Sequence, residues 1–182
     1  MSQPLKVWSK FSVTKKDGSV LNLRIVDIPK DPKLLEKALD YFFNYFIKEE
    51  RTFKAADTED DQINDIIGAS LLVLQTKADE TKKHTFMAKE LNKVSQMAED
   101  LAEIYDDRRA FNLDPYLLCR GVFVCPEYRG LGIAQELLRI RRLISKEYGI
   151  PITGAWMTSP GTQKAAERDG WETVCEVKFS DL

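Results

Sequence analysis

An apolar run that stops at a proline, crosses two closely spaced glycines and turns at once into an amphipathic helix governs how this chain folds. Residues 116–125 carry no charge except Arg120, which reads as a strand buried on both faces. Val122-Phe123-Val124-Cys125 leads into Pro126-Glu127-Tyr128-Arg129-Gly130-Leu131-Gly132-Ile133-Ala134. Residues 130–147 then read as a helix, with Ile133, Leu137, Ile140 and Ile144 along one face and Arg139, Arg142 and Lys146 in solvent. A helix that starts directly from a strand presents unpaired backbone N–H groups and the positive end of its dipole at the junction, which favours an anion there. Glycines let the backbone approach a phosphate closely. A pyrophosphate is the natural guest, and a tight strand-to-helix turn without a ligand is the alternative.

Two common phosphate loops do not fit. A P-loop places Lys and Ser or Thr directly after its second glycine, and no Lys follows Gly132. A dinucleotide fingerprint wants a third small residue three positions after the second glycine, where this chain has Gln135.

The rest of the chain frames this junction. Residues 7–13 and 19–28 are rich in Val, Leu and Ile and are joined through Asp17-Gly18, a hairpin signal. Asp31 and Pro32 predict a helix start, followed by an apolar stripe of Leu35, Leu39, Phe42, Phe43 and Phe46. The stretch 58–107 reads as mostly helical: one segment carries Ile63, Ile66, Ile67, Ser70, Leu71 and Leu74, and a second spans roughly 81–106. Residues 69–74 are short enough to be a strand instead. Residues 151–157 predict another buried strand, 161–169 a short helix ending at Gly170, and 171–179 a last strand. The order predicts an α/β (α+β) fold, in one domain over 1–182 with a ligand-binding half at about 116–179.

Charge excludes some roles. With 27 basic and 29 acidic side chains the formal net charge is -2, and no basic patch interrupts it, so nucleic acid is not an expected partner. No apolar stretch reaches membrane-span length, so no membrane association is expected. Cys119, Cys125 and Cys175 lack metal-ligand spacing and read as buried free thiols of a cytoplasmic protein, with no metal expected. His84 lies in a polar Lys82-Lys83-His84-Thr85 stretch and reads as a surface residue.

The run from Val124 to Leu138, with Val-x-Pro-x-Tyr ahead of Arg-x-x-Gly-x-Ala, resembles motif A of the GCN5-related N-acetyltransferases. Downstream, Thr158-Ser159-Pro160, the Gln163-Lys164 helix and Gly170-Trp171 resemble the insect-type arylalkylamine N-acetyltransferase branch. The resemblance implies a mixed, mostly antiparallel sheet with a central parallel pair of splayed strands and helices on both faces. It implies acetyl-CoA as co-substrate, with Val122, Phe123 and Val124 along the pantetheine arm. Arg129, Gly130, Leu131, Gly132, Ile133 and Ala134 would hold the pyrophosphate, with Ser159 and Lys164 also on the cofactor side. Thr158 and Thr162 would face the acceptor, a small primary amine. Helix capping alone also explains Thr158, Ser159 and Thr162.

Upstream, Phe46-Ile47-Lys48-Glu49-Glu50-Arg51 resembles the segment that carries the branch's general base, which places that role on Glu50. An amine that arrives as an ammonium ion must lose a proton before it attacks a thioester, and a carboxylate can take it. Glu49 and Glu50 read equally well as solvated charges at a helix end. Phe43 and Phe46 read as core, with acceptor-ring contact as the alternative. Compared with the family, the sequence offers one candidate strand, near 69–75, where a mid-chain hairpin is usual, and no further strand after residue 179. The expectation is an N-acetyltransferase, monomeric, acting by direct attack on the thioester. A non-catalytic CoA-binding relative and a partner-binding domain built on residues 58–107 are the alternatives.

Overall fold

The computed structural model describes residues 6–28, 31–42, 65–77 and 89–181. Glu50, Phe43, Phe46, Ile63 and His84 lie outside the described residues.

The N-terminal hairpin forms as its Asp-Gly turn predicts. Strand β1 (Val7–Thr14) pairs antiparallel with β2 (Val20–Val26), from Thr14 opposite Val20 to Val7 opposite Val26. Gly18 sits at φ +82°, a left-handed position that an L side chain resists, and the Asp17 carboxylate accepts from Ser19 N at 2.9 Å. Helix α1 (Pro32–Phe42) starts where Asp31 Oδ1 accepts from Lys33 N at 2.9 Å, a side-chain cap with Pro at the first turn. Ala38 of this helix is buried, whereas Leu39, expected on the apolar stripe, is 38% exposed.

The mid-chain reading is corrected at one place. Residues 68–75 form strand β3 (Gly68–Gln75), not a helix, because Gly68 to Gln75 pair antiparallel with strand β4 (Tyr116–Val124). Gly68 lies so close to β4 that a Cβ there would stand 2.9 Å from the Phe123 carbonyl oxygen. The register slips between Leu71/Gly121 and Leu72/Cys119, leaving Arg120 as the extra residue of a β-bulge. Helix α2 (Lys89–Ile104) falls inside the segment expected to be helical at 81–106. A one-turn helix, α3 (Asp107–Ala110), follows, capped by Asp106 through Arg108 N and Arg109 N.

Helix α4 (Ile133–Glu147) and helix α5 (Pro160–Arg168) complete the C-terminal half. The two strands expected at 151–157 and 171–179 do not form: these segments enter no ladder among the described residues, where the sheets are β1–β2 and β3–β4. Side chains join the first of these segments to β4 instead, as described below.

Two apolar clusters meet across α4. Ala38, Ile66, Ala69, Phe123, Cys125, Tyr128, Ile133 and Leu137 pack between the strands and the start of α4. Leu138, Ala165 and Ala166 pack on the other side, against Val122, Ala134, Met157 and Trp171. The expected face of α4 is buried at Ile133, Leu137 and Ile140, and Ile144 is half-buried. Arg139 departs from its expected solvation: its Nε donates to Glu136 Oε2 at 2.9 Å and its Nη2 to Ser9 Oγ at 3.0 Å, tying α4 to β1. Arg142 likewise pairs with Asp169 at 2.9 Å and so fastens α4 to the end of α5.

Candidate functional site

The junction between β4 and α4 carries the site geometry. Pro126–Tyr128 make one tight turn after β4, buried Tyr128 packs under it, and the chain then passes through Gly130 and Gly132. These glycines have φ +80° and +82°, in the left-handed region. A Cβ at either would meet no protein atom within 4 Å, so the space above the loop is open and conformation alone demands glycine.

Gly132 occupies the N-cap position of α4 and offers no side chain to cap it. The first helical bond runs from Glu136 N to Gly132 O at 3.1 Å. The N–H groups of Gly132, Ile133, Ala134 and Gln135 therefore precede the first helical bond and have no acceptor within the helix. Uncapped donors at the positive end of a helix dipole suit a multiply charged anion. The acidic residue of the first turn does not oppose this, since Glu136 is held sideways by Arg139 and by Ser9 Oγ at 3.4 Å. Arg129 folds back, its Nε donating to the Val124 carbonyl at 3.1 Å, which leaves its remaining guanidinium donors beside the loop. The residues fit a pyrophosphate.

The other expected site residues fall around this loop. Phe123 is 4% exposed and belongs to the core, so only its backbone can face a ligand, while Val122 and Val124 are half-buried. Ser159 caps α5: its Oγ accepts from Thr162 N at 3.2 Å and lies 2.8 Å from Thr162 Oγ1. Thr158 and Lys164 are exposed. Glu50 lies outside the described residues. Among the described residues, no group of three or more His, Cys, Asp or Glu could hold a metal ion, and no helix is long and apolar enough to cross a membrane.

The three cysteines are free thiols; Cys125 is buried, and Cys119 and Cys175 are half-buried rather than buried as expected. Burial pushes the Cys125 thiol up to about 11, helped by the negative charges of Glu127 and Asp65. The folded state thus keeps this proton more tightly than the unfolded chain does. Its contribution to stability is complete below about pH 9 and lost as pH rises towards 11. At pH 8 a maleimide should leave Cys125 unmodified in the folded protein and modify it fully in denaturant, as read by peptide mass spectrometry. Labelling of folded Cys125 as fast as denatured Cys125 would contradict the burial.

A group that sequence reading missed lies at the other end of β4. Arg141 is wholly buried, and its Nη2 donates to Leu117 O of β4 at 3.2 Å and to Gly154 O of the facing segment. Its guanidinium lies 5.4 Å over the Trp171 ring. Tyr116 Oη donates to Asp107 Oδ2 at 2.7 Å and stands 3.3 Å from Gly154 O. Burial and then the Asp107 hydrogen bond push the Tyr116 hydroxyl up, so it stays a donor. Gly154 leaves room for this contact, because a Cβ there would stand 1.7 Å from Asp107 Oδ2. The signal for Arg141 was present: it falls between Leu137, Leu138, Ile144 and Ser145 at helical spacing, on the inner stripe.

No family model matches the sequence, and no curated protein matches it. Among solved structures, the chain is similar to one described as arylalkylamine N-acetyltransferase 7 of the yellow fever mosquito, at 22% identity and a TM-score of 0.75. The match covers 93% of this chain and 81% of the mosquito chain. The chain has the fold of the GCN5-related N-acetyltransferases.

Proposed function

We propose that this chain binds acetyl-CoA and transfers the acetyl group to a small primary amine, an arylalkylamine being the first candidate. The observation that carries the reading is the uncapped start of α4, where two left-handed glycines border open space beside N–H groups that have no acceptor within the helix. The fold shared with the mosquito protein supports it, as does that protein's description as an arylalkylamine N-acetyltransferase.

In this reading residues 129–134 hold the pyrophosphate, and the strand at Val122–Val124 receives the pantetheine arm. Ser159 and Lys164, at the start of α5, add to the cofactor side, and Thr158 and Thr162 face the acceptor. Backbone N–H groups near Val124 polarise the thioester carbonyl. Glu50 accepts the proton that the ammonium form of the amine must lose before attack. Bound acetyl-CoA supplies the activated acetyl group, and the thiolate leaves as the amide forms. The reaction uses no metal, and the chain works as a cytoplasmic monomer.

Calorimetric titration with acetyl-CoA, followed by thiol release with tryptamine, dopamine and spermidine, tests this. Saturable binding with release of CoA thiol by one of these amines is the expected result. Binding without release by any of the three would remove the transferase reading and leave a CoA-binding protein. Absence of binding would remove both.

A further inference from the structure

The expected parallel strand pair is joined here by side chains rather than by backbone. No ladder bond links residues 151–157 to β4 among the described residues. What spans them is the Arg141 guanidinium, with one nitrogen shared between the Leu117 and Gly154 carbonyls, and the Tyr116 hydroxyl beside Gly154 O and Asp107. The bulge at Arg120 then separates this pinned end of β4, at Tyr116 and Leu117, from the end at Val122–Val124. A bulge bends its strand and increases the twist, so the two ends of β4 need not follow one line. The segment 151–157 is thus fixed at Gly154 and unladdered beyond it.

An arginine with no exposed surface is an expensive element to retain for stability alone, since an apolar residue of similar volume would pack there without desolvating a charge. Its Nε and Nη1 have no partner among the described residues, so the site does not compensate the charge fully. One guanidinium nitrogen does, however, donate to a carbonyl of β4 and to a carbonyl of the facing segment, which an aliphatic side chain cannot do. We infer that Arg141 is a positioning residue that sets the opening between β4 and residues 151–157, and through it the seat of the pantetheine arm. The inference rests on the acetyl-CoA reading above. The partners of Arg141, the Leu117 and Gly154 carbonyls and the Trp171 ring, lie outside residues 129–134. The same helix therefore begins at the phosphate donors and, two turns later, fixes the strand spacing.

The test compares two ligands: acetyl-CoA, and 3′-phospho-ADP, which keeps the pyrophosphate and lacks the pantetheine arm. In Arg141→Met, acetyl-CoA affinity should fall by about 10-fold or more, as expected when one well-placed hydrogen bond is lost. Affinity for 3′-phospho-ADP should stay within about 2-fold, because the helix terminus that binds it is unaltered. Arg141→Lys, which keeps the charge and can hold one carbonyl, should fall between Met and the unaltered protein for acetyl-CoA. A merely structural role predicts equal losses for the two ligands, with no recovery in the lysine variant. Should Arg141→Met not fold, Tyr116→Phe removes one hydroxyl from the same junction and should shift acetyl-CoA affinity alone, in the same direction. Equal losses for both ligands, or unchanged acetyl-CoA affinity in the folded variants, would overturn the inference and leave the acetyl-CoA reading standing. Failure of the unaltered protein to bind either ligand would overturn both.

Discussion

Replacing Gly132 with valine should weaken acetyl-CoA binding by about 100-fold or more while leaving a folded protein. The estimate comes from the donors lost. A hydrogen bond to a charged partner is worth about 1.5–3 kcal/mol, and displacing two of them from a pyrophosphate reaches that factor. Gly132 stands at φ +82° at the N-cap of α4, so valine must either hold a strained left-handed conformation or twist the N–H groups of Gly132, Ile133 and Ala134 away from their common focus. The strain itself is about 1–2 kcal/mol. For a chain of this size it lowers the melting temperature by only about 2–8 °C. Gly18→Val supplies the control. Gly18 has the same φ of +82° and the same open surroundings, but it turns the β1–β2 hairpin. It should show a similar melting shift and no change in affinity. Calorimetry and thermal unfolding on both variants distinguish a ligand loop from a strained turn. Equal affinity in Gly132→Val and the unaltered protein would remove the loop from the site.

Leu138→Ala should be the most damaging of the simple core truncations. Leu138 has no exposed surface and lies against Ala165 and Ala166, with Val122, Ala134, Met157 and Trp171 around it. Both alanines are already small, so α5 cannot supply side-chain volume to fill the space. The expected cost is about 2–5 kcal/mol, near the upper part of the range for leucine truncation where the site cannot collapse. This corresponds to a melting temperature lower by roughly 4–20 °C. Leu143→Ala on the same helix, where the leucine is 41% exposed, should cost within about 1 kcal/mol. Similar shifts for the two leucines would mean that α5 does not seat on α4 as described.

What the sequence made legible was local chemistry. The hairpin at Asp17-Gly18, the cap at Asp31 and the strand–glycine–helix junction at 122–134 each rest on residues a few positions apart, and each is found in place. Where pairing with distant chain decided the outcome, the reading was weaker. Leu71 and Leu74 suit an apolar helix face as well as a strand, and only the ladder to residues 116–124 makes 68–75 a strand. Residues 151–157 have the composition of a buried strand, yet side chains of Arg141 and Tyr116 take the place of a ladder. Arg141 itself was hidden by its charge. It went unassigned among the residues of α4, although its position between Leu137, Leu138 and Ser145 marks the inner stripe. The glycine loop was readable because it depends on conformation, which glycine advertises. The base proposed at Glu50 lies outside the described residues.

Backbone amide shifts of the isotope-labelled protein, followed while acetyl-CoA is added, test the central claim most directly. The account predicts that the amides of Gly130, Leu131, Gly132, Ile133 and Ala134 move furthest, and that they move saturably, because the start of α4 gains a bound anion beside donors that have no acceptor within the helix. Binding that leaves these amides unmoved, or no binding at all, would contradict it.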